Sequence, residues 1–291
     1  GGHMRGTDSG IILGLYRSDH RRQALEDALA VGIQCLDTSY NYHGFDSHRL
    51  LSSVVGDLLS MFSISTKVGF FRESGRVVHT LAPGRLRRAV EESACDLGRI
   101  PDVVFLHNPE KSLVGVSPVQ ARERLDAACA ALYEAVAMGL CASWGISSWD
   151  TAPLIRALDG DLFAKAPTPD VLMVRAGLTV PSDQLDASER AAQRLGVPSD
   201  RLWGMSPFGG DAARDVWKRI KAATFLQPNE EGSNVQAVFR VSYELPRVTR
   251  IAVSSGSTDH MRELVSAEAL KVDLDQIARY RQLLRERGAH I

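Results

Sequence analysis

Gly10-Ile11-Ile12-Leu13-Gly14-Leu15 is an apolar run of strand composition, followed by Tyr16-Arg17-Ser18. A doubly wound dinucleotide-binding sheet would carry a GxGxxG turn directly after its first strand, where glycines let the backbone approach a pyrophosphate. No such turn is present. Outward from this run, helices are predicted around 21–31, 50–59 and 84–97, with strands at 33–36 and 63–66 between them. A fourth strand at 102–106 precedes an Ala-rich helix over 120–138. Further strands follow at 142–146, 171–174, 202–205 and 250–253, with helices at 235–243 and 274–287. Eight short apolar runs alternating with helices describe an α/β chain with a closed parallel sheet, a single-domain (β/α)8 TIM barrel. No repeat, low-complexity tract or Pro-rich linker divides it. The domain is expected over 5–291, with Gly1-Gly2-His3-Met4 reading as an expression-tag scar.

Composition narrows the function classes. The 291 residues are 44% hydrophobic and 24% charged, with a formal net charge of −1, which leaves no basic surplus for nucleic acid. Arg85, Arg87 and Arg88 alternate with apolar residues as a solvated helix face does. Cys35, Cys95, Cys129 and Cys141 form no CxxC pair and are expected to be reduced core residues in a cytoplasmic protein. No run reaches membrane-spanning length and no leader opens the chain.

Active sites of such barrels lie at the C-terminal ends of the strands. Asp37 ends the second strand and Tyr42 lies five residues on; Lys67 ends the third strand and His107 the fourth. Singly, each has an ordinary reading as a cap, a snorkelling cation or a core histidine. Together they suit carbonyl reduction. A carbonyl receiving hydride needs a proton, and a tyrosine with an ordinary pKa of about 10 donates it better beside an ammonium. Lys67 supplies that charge, Asp37 fixes the ammonium, and His107 donates to the carbonyl oxygen and orients it.

The segments that carry these residues resemble the aldo-keto reductases. Asp37-Thr38-Ser39-Tyr40-Asn41-Tyr42 is similar to their D-T-[AS]-x-x-Y, Ser65-Thr66-Lys67-Val68-Gly69 to S-T-K-V-G, and Leu106-His107-Asn108-Pro109-Glu110 to L-H-x-P-[DE]. The resemblance selects Tyr42 over Tyr40 and implies a catalytic tetrad of Asp37, Tyr42, Lys67 and His107. Gly139 to Ser148, Met205 to Gly210, Gln236 to Arg240 and Ile251 to Thr258 resemble further family segments. Residues 42–49 look most like the aldose 1-dehydrogenase branch. The resemblance implies an oxidoreductase that moves hydride between NADP, with NAD as the alternative, and a carbonyl, alcohol or sugar-like substrate. The implied cofactor contacts are Ser147, Ser148, Met173, Met205, Ser206, Pro207, Phe208, Gly209, Gly256, Ser257, Thr258 and Arg262.

Three positions depart from the family pattern: Ser148 replaces an Asn, Met173 a Gln, and Met205 the aromatic residue often stacked on the nicotinamide. Leu264 or Val265 falls where an Asn is usual. The hairpin that plugs many family barrels is expected to be missing, since the first strand begins almost at once.

Apart from the resemblance, Ser254 to Thr258 runs into a helical segment whose first N–H groups form an anion site, and Arg262 one turn in suits a 2′-phosphate. The alternative there is an ordinary capped surface helix. Substrate contacts are expected from 16–20, 111–119 and 208–214. The rival to an enzyme is a catalytically weak cofactor-binding scaffold on the same barrel, favoured by Ser148, Met173 and Met205. A metal-dependent lyase would want more His and carboxylate ligands at strand ends than Asp37 and His107, so no metal is expected.

Overall fold

A computed structural model describes residues 9–16, 21–159, 167–210 and 219–288. Eight parallel strands close on themselves: β1 (Ile11–Gly14), β2 (Cys35–Asp37), β3 (Ser63–Val68), β6 (Val103–His107), β7 (Ser143–Ser148), β8 (Val171–Arg175), β9 (Leu202–Met205) and β10 (Arg250–Val253), with β10 pairing back onto β1. The (β/α)8 barrel follows, in one domain. An antiparallel hairpin, β4 (Phe70–Glu73) and β5 (Arg76–His79), is inserted after β3.

The helices are α1 (Arg22–Ala30), α2 (Tyr42–Phe45), α3 (Ser47–Val55), α4 (Pro83–Leu97), α5 (Pro118–Ala137), α6 (Thr151–Asp159), α7 (Ser182–Leu195), α8 (Asn234–Ser242), α9 (Thr258–Ala267) and α10 (Leu274–Gly288). Their ends carry recognisable chemistry. Ser117 accepts the Gln120 N–H at the start of α5, Ser233 and Gln236 form a capping box on α8, and Gly98 closes α4 in the left-handed region at φ 73°. The segment α2 is a single turn in which His43 and Gly44 have positive φ. Among the described residues no helix is long and apolar enough to cross a membrane.

Period-two alternation along the strands decides where the cavity can lie. Ile12, Cys35, Val103, Phe105, Val171, Met173 and Ala252 point inward and form a cluster of their own, with Trp203 and Met205 packed on it. Phe105 and Trp203 meet edge to face, 5.8 Å between centroids. Phe105 has room because β7 carries Gly145, where a Cβ would sit 3.0 Å from the Phe105 ring and 2.4 Å from the Val171 carbonyl. The barrel interior is therefore a packed core, and the cavity lined by the strand-end residues opens at its C-terminal mouth.

Several expectations change. The segment expected as a helix at 50–59 is α3 at Ser47–Val55 followed by a 3₁₀ stretch, Gly56–Met61. The hairpin was not anticipated. Cys35, Cys129 and Cys141 are buried, but Cys95 is exposed, because it lies on the solvent side of α4. The expectations for the tag scar and the missing hairpin plug fall on residues 1–8, outside those described, as do 17–20 and 211–214 of the expected substrate loops.

Candidate active site

The register of β2 against β3 sets the first contacts. Asp37 pairs with Ser65, and Lys67, two residues further along β3, points to the same side one layer higher. Ser65 Oγ donates to Asp37 Oδ1 at 2.6 Å, and Lys67 Nζ donates to Asp37 Oδ2 at 2.5 Å. The Lys67 ammonium also donates to the Thr38 carbonyl at 3.0 Å and lies 3.5 Å from the Tyr42 hydroxyl. Below these contacts, Thr38 and Ser47 share a buried hydroxyl pair, and His48 is bonded to Thr66 Oγ1 at 2.7 Å, tying α3 to β3. The turn holding Tyr42 is thus seated on two buried polar contacts.

The charges follow from burial and from these partners. Burial opposes the Lys67 charge, but Asp37 and Tyr42 outweigh it and raise the Lys67 pKa above the ordinary lysine value. Burial raises the Tyr42 pKa, and Lys67 pulls it back only in part. Tyr42 is therefore a protonated phenol near neutral pH. The expectation that Lys67 lowers the phenol pKa holds for the direction of its contribution, whereas the net shift is upward. His107, at the end of β6, lies 6.4 Å from Tyr42 between ring centroids. Burial, then Lys67 and His79, push its pKa well below the ordinary value, so its ring is neutral.

Ser39 Oγ donates to Asn41 Oδ1 and lies 3.2 Å from His107 Nδ1. With its proton committed to Asn41, Ser39 accepts from Nδ1–H, which leaves a lone pair on Nε2. In that tautomer His107 accepts from an alcohol; donation to a carbonyl requires the opposite one, with Ser39 donating to Nδ1.

A cavity of about 540 Å³ opens over these groups. Asp37, Tyr42, Lys67 and His107 line it, as do Ser147, beside His107 on the next strand, and Met173, Met205, Ser206, Pro207 and Phe208. The implied contacts Ser148, Gly209, Gly256, Ser257, Thr258 and Arg262 do not line it. Ser148 is fully buried, its hydroxyl donating to Glu110 Oε1 at 2.9 Å. Glu110 also accepts the N–H groups of Trp149 and Asp150, at 2.9 and 2.8 Å, and so holds the strand end to the turn that places Trp149 on the cavity wall. Ser257 caps α9 by accepting the His260 N–H. The Thr258 hydroxyl donates to Asp27 of α1 at 2.5 Å, and the exposed Arg262 lies 3.8 Å from Asp259.

Sequence reasoning missed Phe70, Asn108, Trp149 and His260 among the lining residues, whereas Tyr16 belongs to a stretch expected to meet substrate. Phe70 packs edge-on to His107 at 4.8 Å. His79 bonds the His107 carbonyl at 2.8 Å through Nε2 and Ser112 Oγ at 2.6 Å through Nδ1. Both come from the unanticipated hairpin. Its signal was Ser74-Gly75 between two short apolar-containing runs, a two-residue loop with φ of 49° and 77°. Among the described residues no group of three or more His, Cys, Asp or Glu is arranged to hold a metal.

A family profile described as the aldo/keto reductase family matches residues 5–198. The chain belongs to the aldo/keto reductase family. No curated protein matches it. Among solved structures it is similar to an aldo-keto reductase from Bacillus halodurans in its holo form, with TM-score 0.69 and 17% identity over 97% of this chain and 96% of that one. It is also similar to an aldo-keto reductase from Klebsiella pneumoniae in complex with NADPH, with TM-score 0.66 and 17% identity over 94% of this chain and 90% of that one. At such identities the likeness is one of fold.

Because Lys67 and Asp37 neutralise each other in a buried place, removing one strands the other. Lys67→Met is expected to cost about 3–5 kcal/mol of stability, read from urea unfolding, and adding Asp37→Asn should recover a large part of it. A double variant no more stable than Lys67→Met would show that the ion pair is not what the mouth depends on.

Proposed function

We propose that the chain is an NAD(P)H-dependent oxidoreductase that interconverts a carbonyl and an alcohol, with Tyr42 as the proton donor in reduction. The observation that carries this reading is the Asp37–Lys67–Tyr42 chain of contacts opening, with His107, into the main cavity. The nicotinamide cofactor, when bound, supplies or accepts the hydride. Tyr42, kept protonated by burial, gives its proton to the oxygen that gains charge, and the Lys67 ammonium stabilises the phenolate left behind. Asp37 holds the ammonium in place. His107, as a neutral ring, orients the substrate oxygen by one hydrogen bond.

The remaining wall suits a cofactor. It includes Met205 to Phe208, Ser254 and His260. Met205 and Met173 offer adaptable apolar surface for a ring. Arg262 and the start of α9 are the candidates for the adenosine end, and NADP(H) is the proposed cofactor, as named for the Klebsiella pneumoniae structure. The proposed substrate is a small aldehyde, ketone or sugar-like hydroxyaldehyde, the last resting on the likeness of residues 42–49 to aldose dehydrogenases.

The second reading is a cofactor-binding scaffold with weak turnover. The burial of the Ser148 hydroxyl against Glu110 favours it, since a carboxamide then loses a polar partner.

Tyr42→Phe keeps the ring and removes the acid, so turnover of a reactive aldehyde should fall by about a hundredfold or more while cofactor affinity stays. Turnover like that of the native chain in Tyr42→Phe would instead favour the scaffold reading or another acid.

Cofactor choice has its own test in fluorescence titrations with NADPH and NADH. Arg262→Ala should weaken NADPH and leave NADH nearly unchanged. Asp27→Asn should tighten NADPH, because a carboxylate on Thr258 repels a 2′-phosphate placed there. Equal effects on both cofactors would remove the phosphate from this corner.

A further inference from the structure

A second cavity, of about 230 Å³, lies outside the barrel between the turn that carries Tyr42, strand β4 and helix α4. Its walls are aromatic. Phe71 is buried there, and Tyr40 packs on Phe45 at 5.5 Å and on Phe71 at 5.8 Å between centroids. Three guanidinium groups surround the space. Arg85 stacks over Phe71 at 4.5 Å and Arg72 over Phe45 at 5.0 Å. A guanidinium face-on to a ring keeps its N–H groups, which lie in its plane, available sideways.

Those donors are largely unspent. Arg72 gives one Nη2 to the Gly44 carbonyl at 3.1 Å, and Arg85 has one long contact, 3.4 Å, to Glu73. Arg88 has no hydrogen-bond or ion-pair partner among the described residues. Its acidic neighbours along α4 are Glu91 and Glu92; neither pairs with it, and Glu92 instead accepts the Tyr40 hydroxyl at 2.5 Å. Like charges three residues apart on one helix face destabilise the helix, and here a third is added from β4. An anion in the cavity removes that cost. Tetrahedral phosphate matches a ring of guanidinium donors through charge-assisted bonds, and Glu92 at the same wall accepts from a hydroxyl.

We propose that this cavity binds a small hydroxylated phosphomonoester of the sugar-phosphate class, its phosphate held by Arg72, Arg85 and Arg88 and one of its hydroxyls by Glu92. The Gly44 contact of Arg72 connects the site to the turn that carries Tyr42. The site stands apart from the proposed catalytic function, sharing no lining residue with the main cavity.

The test is isothermal titration of the full chain with inorganic phosphate and with glucose 6-phosphate, with and without saturating NADPH. Both ligands should bind, glucose 6-phosphate more tightly, and saturation with NADPH should leave their affinities unchanged. Arg88→Ala, at an exposed position, should weaken both by about tenfold or more through the lost charge-assisted contact. Glu92→Gln should reduce the advantage of glucose 6-phosphate over phosphate. Absence of binding at millimolar concentration, undiminished affinity in Arg88→Ala, or displacement by NADPH would overturn the site. Equal affinities of the two ligands for the unaltered chain would overturn the sugar-phosphate assignment.

Discussion

A lysine side chain only 4% exposed keeps its charge here because a carboxylate 7% exposed lies 2.5 Å away. Burying either ion alone would cost several kcal/mol, so the pair is tolerable only with good geometry and with its remaining hydrogen-bonding capacity used. Ser65 occupies the second oxygen of Asp37, and the Thr38 carbonyl takes another ammonium proton. What remains of the Lys67 charge is directed at Tyr42. The register of two adjacent strands is thereby converted into an electrostatic field at one phenol.

The rest of the barrel supports that arrangement. The inward-facing layer of Phe105, Met173 and their neighbours fills the interior, so the mouth has a firm floor and the cavity cannot deepen around the ion pair. Outside the barrel, the hairpin β4–β5 supplies Phe70 against the His107 ring and His79 against its backbone. Glu110, largely desolvated and with its pKa raised by burial despite its hydrogen bonds, fixes the turn after β7. Neutral histidine, protonated phenol and charged lysine coexist within one cavity because each is given a different balance of burial and partners.

The eight strands were legible because each is a short apolar run, and the polar residues that end them stood out for the same reason. Tyr42 was separated from Tyr40 only by the family resemblance; in the fold Tyr42 faces Lys67, whereas Tyr40 turns toward α4 and donates to Glu92. Contacts that depend on rotamer choice were not legible. Ser148 has the chemistry of a cavity residue, yet its hydroxyl is drawn to Glu110, a carboxylate 38 residues away in sequence. Thr258 is likewise taken by Asp27. The hairpin escaped notice because Phe70–Glu73 and Arg76–His79 are too short and too charged to read as strands without pairing. Burial, the largest influence on Tyr42, is a property of the folded mouth and has no local sequence signal.

The central claim is that burial holds the Tyr42 phenol protonated while Lys67 eases its ionisation. Titrating the Tyr42 ring carbon by NMR, in chain labelled at tyrosine Cζ and assigned by loss of the signal in Tyr42→Phe, measures this directly. The account predicts a midpoint above the ordinary phenol value of about 10, moving higher still in Lys67→Met. A midpoint below the ordinary value, or one that Lys67→Met leaves in place, would contradict it.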